Sequence, residues 1–218
     1  TEGACTGFGL AAVIDRLIKQ SKRKHKGKDI TVSARMLYEM AQRHDEWSGD
    51  AYEGSSCRGA IKGWYNMGVC REALFPYDEP ADEGGKQGFT VAAAKDARNN
   101  TIGAYYRLGN RISDYHAALT EAGAIYCSAQ VHSGWDEVNP HTGKIEFDKN
   151  KLGGHAFAIV GYDGKGFWIQ NSWTKDWGKN GTALWTYEDW LFNIQDAWVF
   201  RMALPTPQIW HLPSRSNS

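Results

Sequence analysis

The pattern of the sequence changes near residue 120, and this change limits the folds open to the chain. Before it, apolar residues recur at three- and four-residue spacing, as in CTGFGLAAVIDRLIKQ and ARMLYEMAQRHDEW, which predicts amphipathic helices. After it, glycine and asparagine separate short apolar runs such as AIYCSAQVH, HAFAIVGYD, GFWIQNSW and TALWTY, which is typical of strands. Helices followed by strands predict an α+β chain, in which a helical lobe faces an antiparallel, barrel-like β lobe.

Local signals add detail to this outline. A third helix is predicted in SSCRGAIKGWYNMG, Ser33 is the predicted cap of the second helix, and Asp163-Gly164 predicts a hairpin turn. Residues 78–111 are polar and predict no element, and residues 205–218 resemble a tail or linker. We therefore expect one domain over residues 1–204, with a helical lobe over about 1–115 and a β lobe over about 116–204.

Charge and hydropathy exclude several classes of partner. Lys plus Arg and Asp plus Glu are both 25, so no global basic field attracts nucleic acid or an anionic membrane. No stretch reaches the roughly 18 uninterrupted apolar residues that a membrane span requires. We expect neither a nucleic-acid nor a membrane partner.

The cysteines and histidines predict neither a disulfide scaffold nor a metal site. Cys5, Cys57, Cys70 and Cys127 are few and scattered, and the seven histidines lack a ligand spacing such as H-x-x-x-H. The thiols other than Cys5 are predicted to be buried apolar residues. Low disulfide use favours a reducing cytoplasm, while export or a place in a larger multidomain chain remains open.

Cys5, His155 and Asn171 are the residues with the strongest chemical signal. Cys5 begins the first predicted helix, where the helix dipole and unpaired N–H groups favour a thiolate. His155 and Asn171 lie in two successive predicted strands, which a short hairpin would place side by side. An imidazole beside a thiol accepts its proton, and an amide oxygen on the other ring nitrogen fixes the ring.

With these three residues in this order, the chain resembles the papain-like cysteine peptidases of the bacterial type. His155 follows Cys5 by 150 residues, against roughly 130–150 in the family, and Asn171 follows His155 by 16. The resemblance rests on Gly3-Ala4-Cys5-Thr6, Gly154-His155-Ala156, Ile159-Val160-Gly161-Tyr162, Asn171-Ser172-Trp173 and Trp177-Gly178-x-Asn180-Gly181, and it covers residues 3–190. The resemblance implies a peptidase that acts on peptides or proteins and needs no cofactor.

The resemblance also implies a role for each site residue. Cys5 is the nucleophile, His155 the general base and acid, Asn171 the residue that orients the imidazole, and Trp173 a shield over the Asn–His hydrogen bond. The implied substrate-binding residues are Gly54 and Ser55, where the family has a Gly-Gly pair, then Ser56, Gly153 and Gly154, with Ser128 and Trp135 near the same pocket, and Trp177 on the leaving-group side. A pro-segment or a neighbouring domain is a further partner that the family allows.

The sequence departs from the family pattern at several positions. The family has an oxyanion-stabilising glutamine six residues before the nucleophile, and the sequence starts four residues before Cys5, so we expect the natural protein to extend upstream. The positions of a family disulfide fall on Glu2 and Tyr52. Thr6 replaces a tryptophan and Thr174 a glycine, which we interpret as subfamily variation.

Three functions therefore compete at this stage. The first is a cysteine peptidase that hydrolyses peptide bonds through an acyl-enzyme, with a Cys5 thiolate and a His155 imidazolium. The second is a transpeptidase, ligase or amidase with the same fold, in which an amine replaces water. The third is a catalytically silent domain that binds peptides in the same cleft. A metal enzyme is a more distant alternative.

Overall fold

The computed structural model describes residues 3–20, 30–46, 54–77 and 88–203. Two short 3-10 turns, Glu72–Leu74 and Ser133–Trp135, accompany the main elements. In chain order these are α1 (Cys5–Gln20), α2 (Ala34–His44), α3 (Cys57–Met67), α4 (Val91–Ala97), β1 (Ile102–Arg107), α5 (Ile112–Ala122), β2 (Ile125–His132), β3 (Lys151–Tyr162), β4 (Gly166–Gln170), β5 (Thr182–Thr186), α6 (Tyr187–Asn193) and β6 (Ile194–Met202).

Side-chain caps define where the predicted helices begin. The Ser33 hydroxyl accepts a hydrogen bond from the Met36 N–H at the start of α2, as predicted. Ser56 caps α3 in the same way by accepting from the Gly59 N–H. Gly68, with a φ of 73°, ends α3 in a conformation that glycine adopts without strain. These local signals explain why both helices were predictable from the sequence.

The strands form one six-stranded antiparallel sheet in the order β1-β6-β2-β3-β4-β5. The sheet is open, since its order runs from β1 at one edge to β5 at the other. The predicted turn at Asp163 joins β3 to β4, and there the Asp163 N–H donates to the Gly166 carbonyl. β6 lies between β1 and β2, so the last described strand is in the interior of the sheet.

Alternate residues of the central strands pack into two separate cores. On β3, Ala156 and Ala158 face a core formed mainly by α1 to α4, whereas Phe157 and Ile159 face a second core rich in tryptophan. This follows from the two-residue period of a strand, which sends neighbouring side chains to opposite faces. Helices α1 to α4 therefore cover one face of the central strands, and α5 and α6 contribute to the core on the other face.

Two glycines allow α1 to pack closely on its neighbours. A side chain at Gly9 would place its Cβ 3.0 Å from the backbone of β3, and one at Gly7 would overlap the Ala34 carbonyl of α2. The prediction that these glycines allow close packing is confirmed. The contact matters for function because it fixes the start of α1 against β3.

Some predictions need correction or lie outside the described residues. Residues 78–111, which predicted no element, contain α4 and β1. The predicted boundary near residue 115 falls inside α5, and the division into two lobes at that point stays a prediction. Glu2, Tyr52 and the tail at 205–218 lie outside the described residues. Within the described ranges, no helix is long and apolar enough to cross a membrane.

Candidate active site

Cys5 is the first residue of α1 and lies at the wall of a cavity of about 440 Å³. Its thiol is half-buried, and backbone groups of Ala156, Thr6 and Cys5 itself lie within hydrogen-bonding reach of the sulfur. The other three cysteines are free and buried, as predicted. Burial raises the pKa of Cys57 to about 12 and that of Cys70 to about 11. Cys5 is therefore the accessible thiol among the four cysteines.

His155 lies within β3, four residues after the strand begins, and its side chain is almost fully buried. Its Nε2 is 2.7 Å from Oδ1 of Asn171, and the Ser172 N–H donates to the same oxygen at 2.7 Å. Because Oδ1 only accepts, Nε2 must donate its proton to it. The second ring nitrogen, Nδ1, is thus the one available to exchange a proton with a thiol.

Sheet pairing brings these residues together. β3 and β4 are antiparallel, with Ala158 opposite Gln170, so Asn171 follows the end of β4 close to His155. The Asn171 N–H donates to the Gly181 carbonyl, which fixes the loop after β4. The predicted juxtaposition of His155 and Asn171 across a hairpin is observed. Cys5 enters from the helical side, and both Cys5 and His155 line the same cavity.

Burial shifts the pKa values of both groups away from the charged forms. It raises the pKa of the Cys5 thiol above its usual 9.0, and nearby backbone hydrogen bonds partly oppose that shift. It lowers the pKa of His155, and the hydrogen bond to Asn171 acts in the opposite direction. Each group on its own therefore favours the neutral form, so a charged pair requires their mutual attraction.

Two tryptophan rings lie beside the histidine, and a third packs against both of them. The ring of Trp173 lies 4.9 Å from that of His155, and the Trp135 ring lies 6.0 Å from it in an edge-on arrangement. Trp177 stacks on Trp135 at 6.0 Å and donates its indole N–H to the Trp135 carbonyl at 2.7 Å. Trp135 is fully buried in the second core and is not among the residues that line the cavity, so its approach to the substrate pocket stays a prediction.

The cavity at Cys5 contains most of the predicted substrate-binding residues. Gly153 and Trp177 are not among its lining residues, and contact of these two with substrate stays a prediction. Sequence reasoning did not identify Arg58, Gln195 and Asp196 as lining residues, because no local motif marks them. The predicted residues in the wall are Gly54, Ser55, Ser56, Ser128 and Gly154.

Small and polar groups dominate this wall. Asp196 accepts hydrogen bonds from Arg107 at 2.7 Å and from the Trp198 indole at 2.6 Å, so its charge is already compensated. Arg58 is largely exposed and forms a 3.3 Å ion pair with Glu46. Within the described part of the chain, no group of three or more His, Cys, Asp or Glu residues is arranged to hold a metal ion.

A thiol at a helix start, a buried histidine and an asparagine bound to that histidine form the arrangement typical of enzymes with a cysteine nucleophile. The family model described as papain family cysteine protease matches residues 2–199. The chain therefore belongs to the papain family of cysteine proteases, enzymes that hydrolyse peptide bonds. The comparison with curated proteins returned no match.

Solved structures with this fold include bacterial and plant proteases. Xylellain, a cysteine protease from Xylella fastidiosa, is 27% identical with a TM-score of 0.79, covering 93% of this chain and 81% of that one. The cysteine protease and lectin-like domains of Cwp84 from Clostridium difficile are 18% identical with a TM-score of 0.74, covering 94% and 48%. Bromelain from Ananas comosus is 19% identical with a TM-score of 0.64, covering 93% and 90%.

Proposed function

We propose that this protein cleaves peptide bonds through a covalent acyl-enzyme formed on Cys5. The observation that carries the proposal is the hydrogen bond between His155 Nε2 and Asn171 Oδ1, beside a cavity that also contains the thiol. That bond fixes the tautomer and plane of the imidazole, which leaves Nδ1 to take the thiol proton. Family membership supports the same chemistry.

The reaction proceeds in two halves. The Cys5 proton moves to His155, and the sulfur attacks the carbonyl carbon to form a tetrahedral oxyanion. Because Cys5 is the first residue of α1, its N–H has no partner within the helix and is available to that oxyanion. The C–N bond then breaks as His155 protonates the leaving amine. Water attacks the thioester, His155 takes its proton, and the C–S bond breaks to release the acid and regenerate the thiol.

The buried position of both groups defines how the ion pair is stabilised. Burial opposes each charge separately, as the raised pKa of Cys5 and the lowered pKa of His155 indicate. The same low dielectric strengthens the attraction between the two charges when they form together. Backbone groups at the sulfur and the side-chain amide oxygen of Asn171 at the ring add to the stability of the charged state.

The substrate backbone is proposed to pair with Gly54 and Ser55, next to the nucleophile, and Ser56 is proposed to lie near the specificity pocket. Gly54 has a φ of 123°, a conformation that favours glycine, and Ser56 is held by Asp45, which accepts from its N–H and its hydroxyl at 2.7 and 2.9 Å. This gives the chain before α3 a defined shape. Main-chain pairing of this kind needs no particular side chain, and it therefore supports peptides as the substrate class.

A pro-segment remains a prediction for this chain. One structure of the same fold is Cwp84 after propeptide cleavage, and another is a procathepsin L 3 from Tenebrio molitor. Both are less than 25% identical to this chain, so they support the fold alone. Activity of residues 1–218 without any added proteolysis step would show that no pro-segment is needed to keep this polypeptide folded.

The test combines turnover with covalent labelling. We expect the protein to hydrolyse members of a fluorogenic peptide library and to form one adduct with a peptidyl epoxide, which peptide mapping places on Cys5. Cys5→Ala should abolish both, whereas Cys127→Ala, which removes a buried thiol away from the cavity, should retain both. Turnover that survives in Cys5→Ala would refute the proposal. Product analysis with an added amine separates hydrolysis from transfer to an amine.

A further inference from the structure

Two departures from the family pattern meet in this structure. Thr6 follows the nucleophile at the position where the plant and animal enzymes of the family have tryptophan. Ser55 replaces the second glycine of the family's Gly-Gly pair, and we call residues 54 and 55 the substrate-pairing edge. Their hydroxyl oxygens, Oγ1 of Thr6 and Oγ of Ser55, lie 2.5 Å apart although the residues are 49 positions apart in sequence. This hydrogen bond joins the nucleophile helix directly to the segment before α3.

Thr6 is held rigidly on its own side of this contact. Its side chain is only 3% exposed, and its carbonyl accepts a hydrogen bond from the Tyr126 hydroxyl of β2 at 2.9 Å. The residue therefore belongs to α1 and is also tied to the sheet that carries His155. The hydrogen bond to Thr6 therefore fixes the position of Ser55 relative to both Cys5 and His155.

Each residue of the segment 54–56 is constrained in a different way. Gly54 adopts its positive φ, Ser56 is held by Asp45, and Ser55 is connected through its side chain to Thr6. Among these interactions, the Thr6–Ser55 bond is the one that connects the segment to the nucleophile helix. Loss of this bond would leave the segment anchored to α2 through Asp45, away from Cys5.

We propose that Thr6 and Ser55 are a positioning pair, which sets the distance between the substrate-pairing edge and the Cys5 sulfur. The inference rests on the proposed peptidase function. Neither hydroxyl takes part in bond making, so the pair acts on where the bound peptide lies. Reaction rates depend steeply on such placement, because the carbonyl must lie within about 3–3.5 Å of the attacking atom.

Two alkylating reagents distinguish placement from thiol reactivity. Iodoacetamide is small and reports the reactivity of Cys5 without needing the segment 54–56. A peptidyl epoxide must first bind along that segment, so its second-order rate reports both reactivity and placement. Thr6→Val keeps the shape of the side chain but removes the hydroxyl, and Thr6→Ser keeps the hydroxyl. Ser55→Ala removes the hydroxyl of the more exposed partner.

We expect Thr6→Val and Ser55→Ala to slow the peptidyl epoxide by about 3- to 10-fold, the factor that one ordinary hydrogen bond provides. Both should change the iodoacetamide rate by less than about 2-fold, and Thr6→Ser should keep most of the wild-type rate with both reagents. The double variant should be no slower than the slower single variant, because both substitutions remove the same bond. Thr120→Val, which removes a hydroxyl contact on the exposed side of α5, is the matched control.

Three results would overturn the inference. These are unchanged epoxide rates in both single variants, an equal fall with both reagents, and losses that add in the double variant. An equal fall with both reagents would mean that Thr6 supports the nucleophile itself. If the wild type neither cleaves peptides nor reacts with the epoxide, the proposed function fails and the pair fails with it. If the wild type is active and the variants react as it does, the positioning role of the pair is overturned and the proposed peptidase function stands.

Discussion

Replacement of His155 by alanine tests whether the histidine makes Cys5 reactive. Without an imidazole, the Cys5 thiol keeps a pKa above 9.0, because burial raises it. At pH 7, two units below that value, at most about 1% of the thiol is ionised. If the wild type exists mostly as the charged pair, the thiolate population falls by about 100-fold in His155→Ala.

The change in alkylation rate should be smaller than the change in thiolate population. A thiolate of lower pKa is a weaker nucleophile, with a dependence of about 0.4–0.5 log units of rate per pKa unit. The thiolate that remains in His155→Ala has the higher pKa and is the better nucleophile, so its greater reactivity offsets part of the loss in thiolate population. We therefore expect iodoacetamide to react with His155→Ala at pH 7 more slowly than with the wild type, but by a smaller factor than the fall in thiolate population.

The pH profile is a sharper test than a single rate. The wild-type rate should already be level near pH 7, whereas the His155→Ala rate should rise about tenfold per pH unit to above pH 9. Intact mass and peptide mapping confirm that label lies on Cys5, and the buried thiols of Cys57 and Cys127 serve as internal controls. Superimposable profiles for the two proteins would refute the reasoning, since they would mean that His155 does not change the ionisation of Cys5.

Three further substitutions test the support around the site. Asn171→Ala removes the hydrogen bond that raises the pKa of His155, so kcat should fall by about tenfold or more and the basic limb of the pH–rate profile should move to lower pH; an unchanged profile contradicts this. Asp15 has its pKa raised from 3.8 to about 6 by burial, so its contribution to stability is present below pH 3.8 and is lost as the pH rises through 6. Asp15→Asn should therefore gain up to about 3 kcal/mol over the wild type between pH 4 and pH 7 in urea unfolding, and parallel stability curves would contradict it. Gly9→Ala should destabilise the protein by about 1–3 kcal/mol, because the new Cβ would lie 3.0 Å from the backbone of β3. Gly109→Ala, with open space around its Cβ, is the control, and equal melting temperatures for the two variants would contradict the packing argument.

The catalytic candidates were predictable because their signals are local or are fixed by simple spacing. Cys5 begins a strongly periodic helix, His155 lies in β3 and Asn171 directly follows β4, and an Asp-Gly turn joins these two strands. A hairpin brings such strands together whatever the rest of the fold does, so their meeting follows from the sequence pattern. The helix caps at Ser33 and Ser56 were visible for the same reason, since each acts within three residues.

The sheet's outer organisation was not predictable in this way. β1 lies in a segment that predicted no element, because IGAYYR has little alternation and most of its residues are exposed. Its partner β6 follows it by almost a hundred residues, and the two pair from Ile102 opposite Met202 onwards. This long-range pairing with β6 makes β1 the edge strand of the sheet. On its other side β6 pairs with β2, where Asp196 lies opposite Ser128, and both residues line the cavity.

The sequence by itself determined the class of chemistry, because the order and spacing of Cys5, His155 and Asn171 are properties of the chain. The tertiary structure decided what surrounds that chemistry. It placed Trp135 behind His155 and brought the hydroxyls of Thr6 and Ser55 into contact. The physical reason is that packing and hydrogen bonding join residues that are close in space, and residues 49 positions apart carry no mutual signal in a single sequence.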